Sequence, residues 1–380
     1  MSEPFRNQAP DADFIDFGIG WPDFTLLPQD ILRRAADQRL RENDASLLNY
    51  GDNPGDARFR TALADFLSRG YGEPVSPESL FLTAGASQAL GLLCHTFTSP
   101  GDTIFVEDRT YFLALGIFAD YGLNVVAIPT DENGLIVEIL EAKLAEHDPV
   151  CLYTIPTFQN PTSVTLSQSR RERLVALSQQ HNFLIIADEV YHLLNYTVAT
   201  PATVASFAES ETVLSVGSFS KILAPGLRLG WIQAAPVLLA RLTADAVVAS
   251  GGALNHFTAG LVAVVLEQGW QDEYLALLKE TFRERAAALS QAIRQYLPSL
   301  AFKEPQGGYF VWLELPGDVD TENLLVEARR YKVGFQPGVQ FSPDGQARQG
   351  LRLSFSFYDT AVLQTGIVRL QKALAHFSKG

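Results

Sequence analysis

Apolar residues recur along this chain in two rhythms, and the way the rhythms alternate predicts the fold. Short, nearly continuous apolar runs lie at 103–107, 124–128, 150–155, 183–188 and 212–217, each ended or followed by a carboxylate, a proline or a small residue. Unbroken runs of this length suit strands covered on both faces, as in a parallel sheet. The stretches 135–146 and 168–181 between them carry apolar residues at helical spacing. Strands alternating with helices predict an α/β fold whose mostly parallel, doubly wound sheet has helices on both faces. Upstream, 29–42 has helical spacing behind Pro28, which suits a helix start, and 81–83 turns a short strand into a helix through small residues. Downstream, a long amphipathic stretch at about 272–296 leads to two alternating strands, 308–315 and 350–356, and a closing helix from about Asp359. That second pattern predicts a small α+β domain. The chain has no internal repeat and no low-complexity tract.

The chemistry gathers where the apolar runs end. The run at 213–217 passes through Ser218 and Ser220 to Lys221, and Arg228 follows seven residues later in a turn broken by Pro225, Gly226 and Gly230. Burial at a strand end disfavours the charged form of a lysine, and a neutral amine is a nucleophile that forms Schiff bases with carbonyls, the aldehyde of pyridoxal phosphate among them. Ser218, Ser220 and Arg228 could hold that cofactor's phosphate. Lysines at strand exits also serve simply as surface residues, so the upstream runs decide. The run at 183–188 ends in Asp188, and in open α/β sheets the carboxyl ends of strands face the ligand crevice. Asp188 is therefore a candidate partner for a protonated pyridine nitrogen, with a helix N-cap as the other reading. Tyr191, one helical turn on, is a candidate donor to the ring hydroxyl.

Composition narrows the function classes. Of 380 residues, 47% are hydrophobic, enough for a sizeable core. The net charge of −14 argues against a nucleic-acid surface, which needs clustered Lys and Arg. No stretch approaches the roughly 20 apolar residues of a membrane span, and the first residues lack the apolar region of a signal peptide. A soluble, cytoplasmic protein is expected. Cys94 and Cys151 lie in apolar surroundings and read as buried thiols, and the six histidines show no metal-ligand spacing, so no metal is expected.

These motifs resemble the fold-type I pyridoxal-phosphate enzymes of the class I/II aminotransferase family over nearly the whole chain. The segment from Gly217 to Trp231 is most similar to the 2-aminoadipate aminotransferase branch, which includes the aminotransferase-like domains of MocR-type regulators. The resemblance implies pyridoxal 5'-phosphate as cofactor, joined to Lys221, with Asp188 on the ring nitrogen and Tyr191 on the ring hydroxyl. It implies a phosphate cradle from Ala86, Ser87 and Gln88 at a helix N-terminus, completed by Ser218, Ser220 and Arg228. Tyr111 matches the aromatic that stacks on the ring, and Asn160 the asparagine that meets the ring hydroxyl and guides the substrate carboxylate. Arg352 matches the arginine that holds this carboxylate bidentately, and Gly20 a glycine that covers the substrate. Tyr50, inside the turn-rich run 49–55, matches a residue that reaches the phosphate of the neighbouring subunit. A homodimer with shared active sites follows, and the loop 250–257 would approach the partner's site. Ordinary turn roles remain open for Gly20, Tyr50 and the Asn160-Pro161 pair. Two departures stand out: Arg109 where the family usually has proline, and Ser163 where it usually has glycine. The implied organisation is an arm with part of the small domain at 1–45, a large cofactor-binding domain at 46–275 and the rest of the small domain at 276–380.

The expected activity is transfer of an amino group from an L-amino acid (2-aminoadipate, aromatic or large aliphatic) to a 2-oxo acid, with 2-oxoglutarate as the acceptor. Trp21, Phe24, Tyr111 and Arg109 are candidates for the entrance. A β- or γ-eliminating lyase with the same cofactor is an alternative that shared motifs do not separate. A non-catalytic ligand-sensing domain is disfavoured, because about a dozen residues precede Phe14 where such regulators carry a winged-helix segment.

Overall fold

The computed structural model describes residues 13–377 apart from 197–199 and 252–253. The first twelve residues of the expected arm, and Gly252 and Ala253 of the expected 250–257 loop, lie outside the described residues.

The apolar runs form the centre of a seven-stranded sheet. Its strands are β1 (Leu80–Thr83), β2 (Thr103–Glu107), β3 (Asn124–Ile128), β4 (Pro149–Thr154), β5 (Leu184–Asp188), β6 (Val213–Ser218) and β7 (Gly230–Ala234). Their spatial order is β1-β7-β6-β5-β4-β2-β3. All neighbours are parallel except β7, which runs antiparallel between β1 and β6. The strand period of two divides each run between two cores. Ile104, Val106, Tyr153, Ile186 and Val216 join one large cluster, whereas Phe105, Leu152, Ile185, Ala187 and Val213 join a second on the opposite face. Leu174 and Leu177 of the helix Gln168–His181 cover that second face. Both faces are thus covered, which is why these strands read as unbroken apolar runs.

Strand β7 was not expected from the sequence. It follows the turn after Lys221 and folds straight back, and Trp231 on it lies opposite Gly217 in the register. A β-carbon at Gly217 would overlap the Trp231 indole, so this glycine is required by the close approach. Two local expectations are corrected. Residues 190–193 form a turn rather than a helix, so Asp188 is no helix N-cap and Tyr191 sits in that turn. The helices Ala246–Gly251 and His256–Glu267 take up the two ends of the expected 250–257 loop.

The remaining strands form smaller sheets. Strands β8 (Phe310–Glu314), β9 (Gln336–Pro337) and β10 (Gly350–Ser354) lie in the order β8-β10-β9, and Ile15–Asp16 pairs in parallel with Val333–Gly334. N-terminal and C-terminal chain therefore meet in one region, beside the closing helix Thr360–Phe377 and the 27-residue helix Trp270–Tyr296. No helix among the described residues is long and apolar enough to cross a membrane.

Gly217→Ala is expected to lower unfolding stability by about 2 kcal/mol, within the range for overpacked cores, as read from the urea midpoint. An unchanged midpoint would mean that Trp231 swings aside without cost.

Candidate active site

The carboxyl ends of β1, β4, β5 and β6 bring most of the candidate residues to one place. Lys221 follows β6 by three residues, and its Nζ donates to the carbonyl of Gly20 at 2.7 Å. Although Lys221 keeps part of its surface open, its amine is enclosed enough that burial pushes its pKa down to about 8. The positive charges of Arg352 and Arg228 act in the same direction, and Asp188 opposes them. Asp188 ends β5 and is buried; burial raises its pKa to about 6, against the hydrogen bond from Tyr153, whose hydroxyl donates to Oδ2 at 2.8 Å. Among the described residues Asp188 Oδ1 has no hydrogen-bond partner, although the Val190 N–H also favours the ionised carboxylate.

Arg352 arrives from β10 and is also buried. Its Nη1 donates to Asn160 Oδ1 at 2.9 Å and its Nη2 to the Gly18 carbonyl at 2.9 Å. The guanidinium lies 4.0 Å from the centre of the Phe310 ring and 5.0 Å from that of Phe341, a cation–π setting. Burial lowers its pKa to about 10, and it stays protonated at neutral pH. Gly20 belongs to the same segment: a β-carbon there would lie 3.5 Å from Phe310 and 3.8 Å from Arg352 Nη2.

A second group forms an anion cradle. Gly85, at φ +90°, precedes the helix Ala86–Phe97, whose free N–H groups at Ala86, Ser87 and Gln88 form its first turn. Gln88 Oε1 is already engaged, accepting from the Ala84 N–H at 3.0 Å. Arg228 reaches this terminus, with Nη2 donating to the Ala84 carbonyl at 3.3 Å and Nη1 to Ser220 Oγ at 3.3 Å. Ser218 Oγ donates to Ser220 Oγ at 3.0 Å. A β-carbon at Gly85 would come within 2.7 Å of Arg228 Nη2, so glycine is what lets the guanidinium close over the helix end. Two hydroxyls, a guanidinium and a helix N-terminus converge, which is the donor set of a phosphate site.

Tyr111 precedes the helix Phe112–Asp120; burial raises its pKa to about 12, with Asp188 pushing the same way. Tyr191 is buried edge-on to Tyr309 and Phe310. Tyr50 stands outside this cluster, with 82% of its surface exposed. The two departures have local explanations. Arg109 turns to an ion pair with Glu314 at 2.7 Å. Ser163 takes the left-handed conformation, φ +58°, and its hydroxyl donates to the Phe310 carbonyl, tying the Asn160 loop to β8.

Sequence reasoning missed the layer behind the site. Tyr153 supports Asp188; Glu107, at the end of β2, accepts from Thr154 Oγ1 at 2.6 Å and Gln159 Nε2 at 2.9 Å, and so fixes the residue before Asn160. Tyr309, whose ring centre is 5.5 Å from Lys221 Nζ, donates its hydroxyl to the Lys221 carbonyl at 2.8 Å. Alternation along 150–155 hints at Tyr153 facing the same side as Cys151, but its partner depends on strand register.

The family model for aminotransferase class I and II matches residues 12–370, and the chain belongs to this family. It is 34% identical to aromatic-amino-acid aminotransferase 1 of Thermococcus litoralis over 96% of this chain and 88% of that one. Among solved structures it resembles the multiple substrate aminotransferase of Thermococcus profundus, with a TM-score of 0.91, 31% identity, and 97% and 93% of the two chains covered. It also resembles the alpha-aminoadipate aminotransferase LysN of Thermus thermophilus, complexed with N-(5'-phosphopyridoxyl)-L-leucine, with a TM-score of 0.88, 30% identity, and 97% and 94% covered. The protein is a pyridoxal-phosphate-dependent transaminase acting on small molecules. The residues present fit the cofactor: a buried carboxylate oxygen is left without a donor, and a glycine-lined cradle offers donors to an anion.

Lys221→Met is expected to raise the melting temperature of the ligand-free protein at pH 7. The folded-state pKa is about 8 and the unfolded value 10.5, so the unfolded chain binds more protons between those values. The cost of the buried ammonium is full below pH 8 and is relieved as pH rises to 10.5. The gain from Met should therefore shrink across that window, as read from melting curves at pH 7, 9 and 10. A gain that grows with pH would contradict the burial of the amine.

Proposed function

We propose that the chain transfers an amino group from an L-amino acid with an aromatic, large aliphatic or 2-aminoadipate side chain to a 2-oxo acid, with 2-oxoglutarate as the acceptor. It would do so in the cytoplasm, as a homodimer in which Tyr50 reaches the phosphate across the subunit boundary. In this reading residues 46–275 form the large cofactor-binding domain, and 1–45 with 276–380 supply the arm and the small domain.

Arg352 and Asn160 hold the substrate carboxylate, and Gly20 closes over it. Lys221 would take the proton from the substrate Cα as base and give it back as acid, a role that suits an amine titrating near pH 8. Pyridoxal phosphate supplies an electron sink for the carbanion charge. Asp188 keeps the ring nitrogen protonated, Tyr191 and Asn160 meet the ring hydroxyl, and Tyr111 stacks on the ring. Ser218, Ser220, Arg228 and the backbone N–H groups of Ala86, Ser87 and Gln88 hold the phosphate.

The observation that carries this reading is a shared strap. Lys221 Nζ and Arg352 Nη2 bond to carbonyls only two residues apart, Gly20 and Gly18, so amine and guanidinium border one small space. Apolar donors are supported by the aromatic wall beside Arg352, where Phe341 packs edge-on against Phe112 at 5.4 Å and Trp312 at 6.0 Å.

The test is the visible spectrum of the loaded enzyme with single amino acids. Donors with aromatic or large aliphatic side chains are expected to bleach the lysine-bound cofactor band, and 2-oxoglutarate to restore it. Ammonia release without any oxo-acid acceptor would overturn the reading in favour of elimination. Lys221→Ala should lose about 10²–10⁴-fold in multiple-turnover rate, the range for general acid–base groups. Arg352→Lys should raise the donor KM about 10–100-fold, the worth of a charge-assisted hydrogen bond, with a smaller change in kcat.

A further inference from the structure

We infer that Tyr153 is a positioning residue for the cofactor's ring nitrogen: by donating its hydroxyl to Asp188 Oδ2 it keeps that carboxylate ionised and leaves Oδ1 as its free acceptor. The inference rests on the reading of Asp188 given above.

Tyr153 lies on β4 and is fully buried, its ring edge-on to Phe118 at 5.3 Å. In the register it lies opposite Ile186 of β5, two residues before Asp188 and therefore on the same face. Phenylalanine would pack equally well against Phe118, so the hydroxyl needs another reason to be there. Among the described residues the one hydrogen bond of its hydroxyl is to Asp188, at 2.8 Å. A buried hydroxyl without a partner is costly, and a bond to an ionised acceptor is among the stronger kinds. Burial also raises the pKa of Tyr153 well above its ordinary value, so it remains a donor over the working pH range.

Other charged and titratable groups act on Asp188. Lys221, beyond β6, favours the ionised carboxylate, and Glu189 in the following turn disfavours it. Glu189 is itself offset by Arg171 at 3.7 Å. Tyr111 and Tyr191 also face Asp188, and both are held neutral by burial. Tyr153 is thus the neutral side chain that, together with the Val190 N–H, stabilises the ionised form. One proton is shared between the Asp188 carboxylate and the ring nitrogen. With the Tyr153 donor present the proton resides on nitrogen; without it the balance moves toward the carboxyl, and the nitrogen becomes neutral.

The experiment is ¹⁵N NMR of the holoenzyme loaded with ring-¹⁵N pyridoxal phosphate, without substrate, across a pH series. In Tyr153→Phe the signal at neutral pH is expected to move toward pyridine, with the ratio of protonated to neutral nitrogen about tenfold lower, a change that one hydrogen bond to a charged group can supply. A wild-type pyridinium signal that responds to Asp188→Asn but not to Tyr153→Phe would overturn the role of Tyr153 and leave that of Asp188. A wild-type signal of pyridine type that ignores Asp188→Asn would remove both. Should Tyr153→Phe fail to fold, 3-fluorotyrosine at position 153 keeps the hydroxyl and makes it more acidic. That substitution must keep the signal at or beyond the wild-type pyridinium position, and a move toward pyridine would overturn the inference.

Discussion

The site depends on burying the Lys221 amine between like charges. Desolvation and the nearby guanidinium groups of Arg352 and Arg228 destabilise its ammonium form, whereas Asp188, the Gly20 carbonyl and the face of Tyr309 favour it. A free lysine would stay protonated until pH 10 or so. Held here, the same group crosses between acid and base near pH 8. The strap 18–20 is drawn into the site by the same requirement, because the ammonium and the Arg352 guanidinium each need an acceptor and find one in its backbone.

Behind the reactive groups lies a layer that holds them still. Arg171 is fully buried and donates to the carbonyls of Leu166, Pro156 and Ala202, while Glu189 accepts from the N–H groups of Val204 and Ala205 and from Ser215 Oγ. This pair locks the turn after Asp188 against the start of the Asn160 loop. Neither charge is bare, which is how buried ions are tolerated. Glu107 does the same from β2, and burial raises its pKa to about 7 despite its hydrogen bonds. Rigid support of this kind matters because a small displacement of a reacting group costs rate steeply.

The central strands were legible because covering both faces forces unbroken apolar runs, and Lys221, Asp188 and Arg352 stand out as charges at the ends of, or within, such runs. Strand β7 was hidden because Gly230 and Trp231 read as the end of the Lys221 turn, and its pairing depends on the glycine–tryptophan fit with β6. The turn at 190–193 was read as helix because nothing local marks the bonds that Glu189 makes to distant backbone. Tyr153, Glu107 and Tyr309 were illegible for the same reason: each acts through a partner 35 or more residues away, set by strand register rather than by spacing along the chain.

The most direct test of this account is to reduce the loaded enzyme with borohydride, digest it and locate the cofactor mass by peptide sequencing. A single phosphopyridoxyl adduct is expected on the peptide that contains Lys221, lost in Lys221→Ala. An adduct on another lysine, or an undiminished adduct in the variant, would contradict it.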